Sequence, residues 1–172
     1  ALNTLTSPAA QGRPIMIAGY SFGAMIAAEL TSWLTDRGIP VTKLLLIDPD
    51  PLDSDVPAWN PRTSHMSAPQ AVVFSPGSAA ARQLDNEMSE VAVLLQAAYL
   101  NSTIRLPSTP VAWVQSRGIA EKYPHARTLF GTPIAQIDRT RLDLGHFDIV
   151  EIPGVHQLAT WLDRELSAPK ST

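Results

Sequence analysis

A serine framed by two glycines, Gly19-Tyr20-Ser21-Phe22-Gly23, stands where the apolar tetrapeptide Ile15-Met16-Ile17-Ala18 gives way to a run with helical periodicity beginning at Ala24. A chain that turns directly from strand into helix forces the corner residue into an unfavourable backbone conformation. Its neighbours must be small so that strand and helix can approach. The corner side chain then projects from the top of the sheet, clear of the backbone, and the first amides of the helix point to the same place. A serine so placed can attack a carbonyl carbon. The Phe22 N–H would face the resulting oxyanion, and one such donor is typically worth about 3 kcal/mol of transition-state stabilisation.

A serine hydroxyl needs a base, and four histidines are available. His65 lies in an irregular stretch and His125 in a charged, turn-like one; both read as surface residues. His156 falls on the last helix, off its apolar stripe, and reads as a solvated side chain. His146 directly follows a strand, in Leu144-Gly145-His146-Phe147, where the glycine lets the chain turn. A loop after the last strand, later in sequence than the serine, is where a hydrolytic sheet holds its imidazole. The imidazole in turn needs a carboxylate to hold its tautomer and stabilise the imidazolium. Asp48 ends the apolar strand Leu44 to Ile47, beside the strand that carries Ser21, and a carboxylate in that position needs a partner to offset its desolvation. Asp48 stands first, with Asp50 and then Asp148 as alternatives.

The elements that must position these residues follow from the pattern of apolar positions. Ile15 to Ala18 is short and unalternating, as expected of a parallel strand covered on both faces. From Phe22 to Arg37, Ile26, Leu30, Trp33 and Leu34 fall on one helical face, and Gly38 is placed to end the helix. Lys43 to Asp48 gives a second buried strand, so strand, helix and strand form a right-handed βαβ unit. The segment Pro49 to Pro61, rich in proline and aspartate, must be a loop. Ala80 to Leu100 is helical by the spacing of Leu84, Met88, Val91, Ala92, Leu95 and Ala98. Pro110 to Gln115 reads as a third strand, and a fourth lies between Ile134 and Leu144. A last helix runs from about Pro153 to Leu166 with Val155, Leu158, Ala159, Leu162 and Leu166 as its stripe.

Composition narrows the function classes. At 172 residues the chain suits one domain, 1–172, and the absence of cysteine excludes disulfides and thiolate metal sites. Nothing in the sequence suggests a bound metal or a resident cofactor. Thirteen Lys+Arg against 16 Asp+Glu, with no basic cluster, gives nucleic acid nothing to bind, and no run approaches the roughly 20 apolar residues of a membrane span. The chain opens Ala1-Leu2-Asn3 without an initiator methionine or signal-like segment, so it reads as part of a longer polypeptide, and a cytoplasmic setting is expected.

Three segments together resemble the thioesterase domains that end nonribosomal peptide and polyketide synthases, close to those of fatty acid synthases. Ala18-Gly19-Tyr20-Ser21-Phe22-Gly23-Ala24 is similar to their nucleophile segment, Leu44-Leu45-Leu46-Ile47-Asp48 to their acid-bearing strand, and Gly145-His146-Phe147-Asp148-Ile149-Val150 to their histidine segment. The resemblance spans about Arg13 to Leu166. It implies an α/β-hydrolase fold, a mostly parallel sheet flanked by helices, with a helical lid over about 61–108. It implies Ser21, Asp48 and His146 as the catalytic set and Phe22 N–H as an oxyanion donor. The substrate implied is an acyl chain held as a thioester on the phosphopantetheine arm of an acyl or peptidyl carrier protein, released by hydrolysis or cyclisation.

The pattern departs from that family in one respect. Such folds place several strands before the serine strand, whereas only fourteen residues precede Ile15. An apolar edge strand left bare is one that folded proteins avoid. The expectation is therefore an N-terminally incomplete fold whose missing strands come from another chain or segment. Two rival readings remain beside the thioesterase: a free-standing serine esterase or lipase, and a non-catalytic binding module that retains the fold.

Overall fold

The structure is a computed structural model that describes residues 15–51 and 104–167. The chain divides into two units, Ala1–Ser54 with Ile104–Thr172, and Asp55–Thr103; all described residues belong to the first. The expected lid over 61–108, its helix Ala80 to Leu100 and His65 thus fall outside the described residues, apart from the coil at 104–108.

Strand β1 (Ile15–Tyr20) leads into helix α1 (Gly23–Thr35) and then strand β2 (Val41–Ile47). Strand β3 (Val111–Ser116) follows, then helix α2 (Arg117–Lys122), the short strands β4 (Thr128–Leu129) and β5 (Thr132–Pro133), strand β6 (Asp138–Leu142) and helix α3 (Gly154–Ser167). The four long strands form one sheet in the order β1-β2-β3-β6, every neighbouring pair parallel. Among the described residues β1 pairs on one side only, with β2. Strands β4 and β5 make a separate antiparallel hairpin whose corner, Phe130-Gly131, has positive φ at both residues, the geometry that tight hairpins require.

Leucine repetition in β2 is explained by burial on both faces. Leu45 and Ile47 join Ala112 and Val114 of β3 and Leu158 and Trp161 of α3 in one apolar cluster that Ile149 completes. Leu44 and Leu46, which point the other way, are also fully buried, while α1 packs on β1 and β2. Each such side chain removed from water contributes roughly 1.5–3 kcal/mol. Strand β6, which among the described residues pairs only with β3, is more polar and largely exposed.

Two helices bury faces other than those the apolar residues suggest. In α1 the buried residues are Ala24, Met25, Ala27, Ala28, Thr31 and Leu34, whereas Ile26 and Trp33 are exposed. Small residues win because they let the helix axis approach the sheet, and Arg37 covers the Trp33 ring instead, its guanidinium 3.8 Å from the centroid. In α3 the buried line is Gly154, Leu158, Trp161 and Glu165, with Ala159 and Leu166 outside it. Glu165 can occupy a buried position because Lys43 of β2 and Arg164 neutralise it, with Lys43 Nζ donating to Oε2 at 2.7 Å.

Candidate active site

Sequence places Ser21 and Asp48 at the same edge of the sheet because each immediately follows the end of a parallel strand. Ser21 N–H donates to Ile47 O, and Asp48 N–H to Val114 O, both at 2.8 Å, so each residue extends its strand's pairing by one step before the chain turns away. Both turn through the left-handed region, with φ of 52° at Ser21 and 50° at Asp48. Non-glycine residues rarely adopt that conformation.

The corner at Ser21 is possible because of Gly19. A Cβ there would strike the Gly23 carbonyl oxygen and lie 2.7 Å from Ala24 Cα, so no larger residue fits. Gly23 differs from expectation: a Cβ on it would meet nothing within 4 Å among the described residues. The tight approach thus constrains one glycine of the pair, the one on the strand. Phe22 is the N-cap of α1, which leaves its N–H among the amides that a helix start does not satisfy internally.

His146 reaches these residues from the loop after β6, on the far side of β3. The loop crosses the start of α2, where Gly118 N–H donates to Leu144 O at 3.4 Å. A Cβ on Gly118 would sit 3.3 Å from His146 N, tighter than ordinary contact, so the glycine eases the crossing. Asp148 closes the loop from below by accepting the Gly145 N–H on Oδ2 at 3.0 Å.

The side chains meet in a line. His146 Nε2 lies 3.0 Å from Ser21 Oγ, and His146 Nδ1 lies 2.7 Å from Asp48 Oδ2. Asp48 is fully buried, and its other oxygen accepts the Ser116 N–H at 2.6 Å. A buried ionised carboxylate is costly unless each oxygen finds a donor, and here both do. Because an ionised carboxylate only accepts, Nδ1 carries the proton, and Nε2 offers its lone pair to the serine hydroxyl. The imidazole itself is about one-fifth exposed, which leaves a way in from solvent.

The remaining candidates lie elsewhere. Asp50 pairs with Lys122, whose Nζ donates to Oδ2 at 3.2 Å. Burial works against the charged Lys122 ammonium, but Asp50 and Tyr123 outweigh it and raise its pKa. Asp148 serves the loop backbone. His125 follows the end of α2, and His156 is exposed on α3. Among the described residues no group of acidic and histidine side chains could hold a metal ion, and no helix is long and apolar enough to cross a membrane.

Sequence reasoning missed two participants. Ser116 had no motif, yet its amide holds Asp48 while its Oγ accepts the Ile119 N–H at 3.1 Å and caps α2. A serine at the end of an apolar strand, followed by a short helical pattern, is the signal that could have found it. Tyr20 was legible only as an aromatic neighbour of the serine; its phenol donates to the His146 carbonyl at 2.8 Å.

Comparisons with known proteins agree with this architecture. The profile of the thioesterase domain family matches residues 1–165. Human thioesterase 2 superposes with a TM-score of 0.61 at 16% identity, over 98% of this chain and 81% of that one. The NocB thioesterase domain from the nocardicin cluster gives 0.64 at 19%, over 97% and 69%. The four-domain nonribosomal peptide synthetase AB3403 gives 0.66 at 17%, over 98% of this chain but 15% of that one. No curated protein matches at the level of sequence. With a parallel sheet flanked by helices and a family profile that spans almost its whole length, the chain belongs to the thioesterase domain family and has the α/β-hydrolase fold.

Proposed function

We propose that this thioesterase domain releases an acyl chain from a carrier-protein thioester by a serine mechanism, with Ser21 as nucleophile, His146 as base and Asp48 as the acid that orients it. The observation that carries the reading is the alignment of Ser21 Oγ, the imidazole and the buried Asp48 carboxylate at 3.0 and 2.7 Å. Such an alignment is what nucleophilic acyl transfer needs and what packing alone has no reason to build.

As Ser21 Oγ attacks the thioester carbon, its proton passes to His146 Nε2, and the carbonyl electrons move onto an oxyanion that the Phe22 N–H stabilises. Collapse of the tetrahedral intermediate breaks the carbon–sulfur bond, and the Nε2 proton leaves with the thiol. Asp48 stabilises the imidazolium throughout without taking its proton. The acyl-enzyme is then attacked by water, or by a nucleophile within the acyl chain itself, whose proton returns through Nε2 to Ser21. Hydrolysis gives an acid and internal attack gives a ring.

The carrier is the partner this reading requires, with the acyl group presented on its phosphopantetheine arm, and no cofactor is bound by the domain itself. Relatives in synthases support this choice: NocB is a thioesterase domain, and AB3403 is a four-domain nonribosomal peptide synthetase. Carrier-borne substrates also imply a cytoplasmic setting. The test is labelling by a fluorophosphonate, which reacts with activated serines. Wild-type chain should label and Ser21→Ala should not; an unlabelled wild type would favour a binding module. Faster turnover of an acyl-carrier thioester than of a simple oxygen ester separates the proposal from an esterase.

A further inference from the structure

Nothing in acyl transfer demands an aromatic residue immediately before the nucleophile, yet Tyr20 touches the histidine in two ways. Its phenol donates to the His146 carbonyl oxygen at 2.8 Å. Its ring also stacks on the imidazole, with centroids 5.2 Å apart and planes 19° from parallel. Among the described residues the other ring against the imidazole is Phe147, edge-on at 5.0 Å and 74°. Phe147 is exposed and belongs to the histidine's own loop, so it moves with whatever the loop does. Tyr20 belongs to β1 and packs against the core cluster of Leu45, Ile47 and Trp161. It is therefore fixed to the sheet, one peptide bond from Ser21.

We infer that Tyr20 is a positioning residue that sets His146 against Ser21, the phenol holding the loop backbone and the ring holding the imidazole plane. The inference rests on the proposed roles of Ser21, His146 and Asp48. The clamp spans few bonds: Tyr20 is covalently next to the nucleophile and hydrogen-bonded to the residue that carries the base. Geometry of that kind governs rate steeply, because misplacing a reacting pair by about 1 Å can cost on the order of a hundredfold. Burial first, then the negative charges of Asp48 and Glu151, raise the phenol's pKa well above its ordinary value, so it remains a protonated donor at neutral pH. The stacked ring also favours the imidazolium that forms in the transition state, since a cation is attracted to an aromatic face. Among the described residues the charged groups about this loop are Asp48 at Nδ1, Asp148 beneath Gly145, Glu151, and Asp143 with its partner Arg117 of α2; substitutions at Tyr20 leave all of them in place.

The experiment compares Tyr20→Phe and Tyr20→Leu with wild type in the full chain, reading fluorophosphonate labelling and the pH dependence of kcat and KM on an acyl thioester. Tyr20→Phe keeps the ring and loses the clamp, so kcat should fall roughly fivefold, the rate equivalent of one ordinary hydrogen bond, with KM and the acid limb unchanged. Tyr20→Leu loses both; kcat should fall on the order of a hundredfold. The acid limb of kcat/KM should also move to lower pH by roughly half a unit, because the imidazolium has lost its aromatic face. Variants within about twofold of wild type, or a Tyr20→Leu defect with the acid limb unmoved, would overturn the inference. If Tyr20→Leu fails to fold, the kcat of Tyr20→Phe decides alone. A wild type that does not label at Ser21 would instead overturn the serine mechanism on which the inference rests.

Discussion

Ser21 and Asp48 occupy equivalent corners of neighbouring strands, with φ of 52° and 50°, so the residues proposed as nucleophile and acid are held in the same strained backbone conformation. The strain has a measurable sign. Left-handed backbone costs a residue with a Cβ about 1–2 kcal/mol and glycine almost nothing. Ser21→Gly and Ser21→Ala both remove the hydroxyl, yet the glycine variant should be more stable than the alanine variant by about 1 kcal/mol, read from urea midpoints. An alanine variant equal to or above the glycine variant would mean that the corner is not strained.

Asp48→Asn keeps the shape of the acid and removes its charge, so the imidazole loses the partner that fixes its proton on Nδ1. Turnover should drop by roughly 10⁴ with little change in KM. His146→Ala should do at least as much, and His156→Ala, exposed on α3, should leave turnover intact. Equal activity of the two histidine variants would remove His146 from the mechanism.

The glycines of the corner are not equivalent. At Gly19 a Cβ meets backbone atoms of Gly23 and Ala24, which cannot move without dismantling the turn. Gly19→Ala should therefore destabilise the fold by about 2–4 kcal/mol and abolish labelling. Gly23→Ala, at the first position of α1 with space around it, should be neutral or stabilising by up to about 1 kcal/mol through helix propensity. Thermal or urea unfolding of the two variants checks this directly.

Acid should loosen the far end of the sheet through Glu165. Burial acts to raise the pKa of this carboxylate, but hydrogen bonds and charge from Lys43 and Arg164 outweigh burial and hold it below the ordinary range. Its folded pKa is thus the lower one. The stabilisation it provides is present above the unfolded value of about 4.3 and is lost as pH falls through the folded value. Glu165→Gln should make the melting temperature less dependent on pH below about pH 5, and Lys43→Met should cost about 1–3 kcal/mol at neutral pH.

The elements that carry local signals were legible in the sequence. The apolar run of β2, the turn around Ser21, the strand at Pro110 to Gln115 and the final helix all announce themselves through periodicity and glycine placement. Which face a helix buries was not. Ile26 and Trp33 advertise hydrophobicity, but the distance of closest approach to a sheet is set by small residues such as Ala24 and Ala28, and that is a tertiary quantity. Glu165 was invisible for a similar reason, since its burial depends on Lys43, 122 residues away. Of the candidate site, residue types and strand ends pointed to Ser21, Asp48 and His146. The parts played by Ser116 and Tyr20 were only faintly legible, as a strand-end serine and an aromatic neighbour, because each acts through a backbone contact with a residue remote in sequence.

The path of the loop that delivers His146 ties the site to the pairing of every long strand. Ser21 and His146 are separated by 125 residues, and the loop follows β6, which lies across β2 and β3 from β1. The hydroxyl therefore meets its proposed base only when β1, β2, β3 and β6 are all paired. Any change that unzips one of those pairings parts hydroxyl from imidazole, so the proposed reactivity would serve as a gauge of whether the whole described sheet is intact.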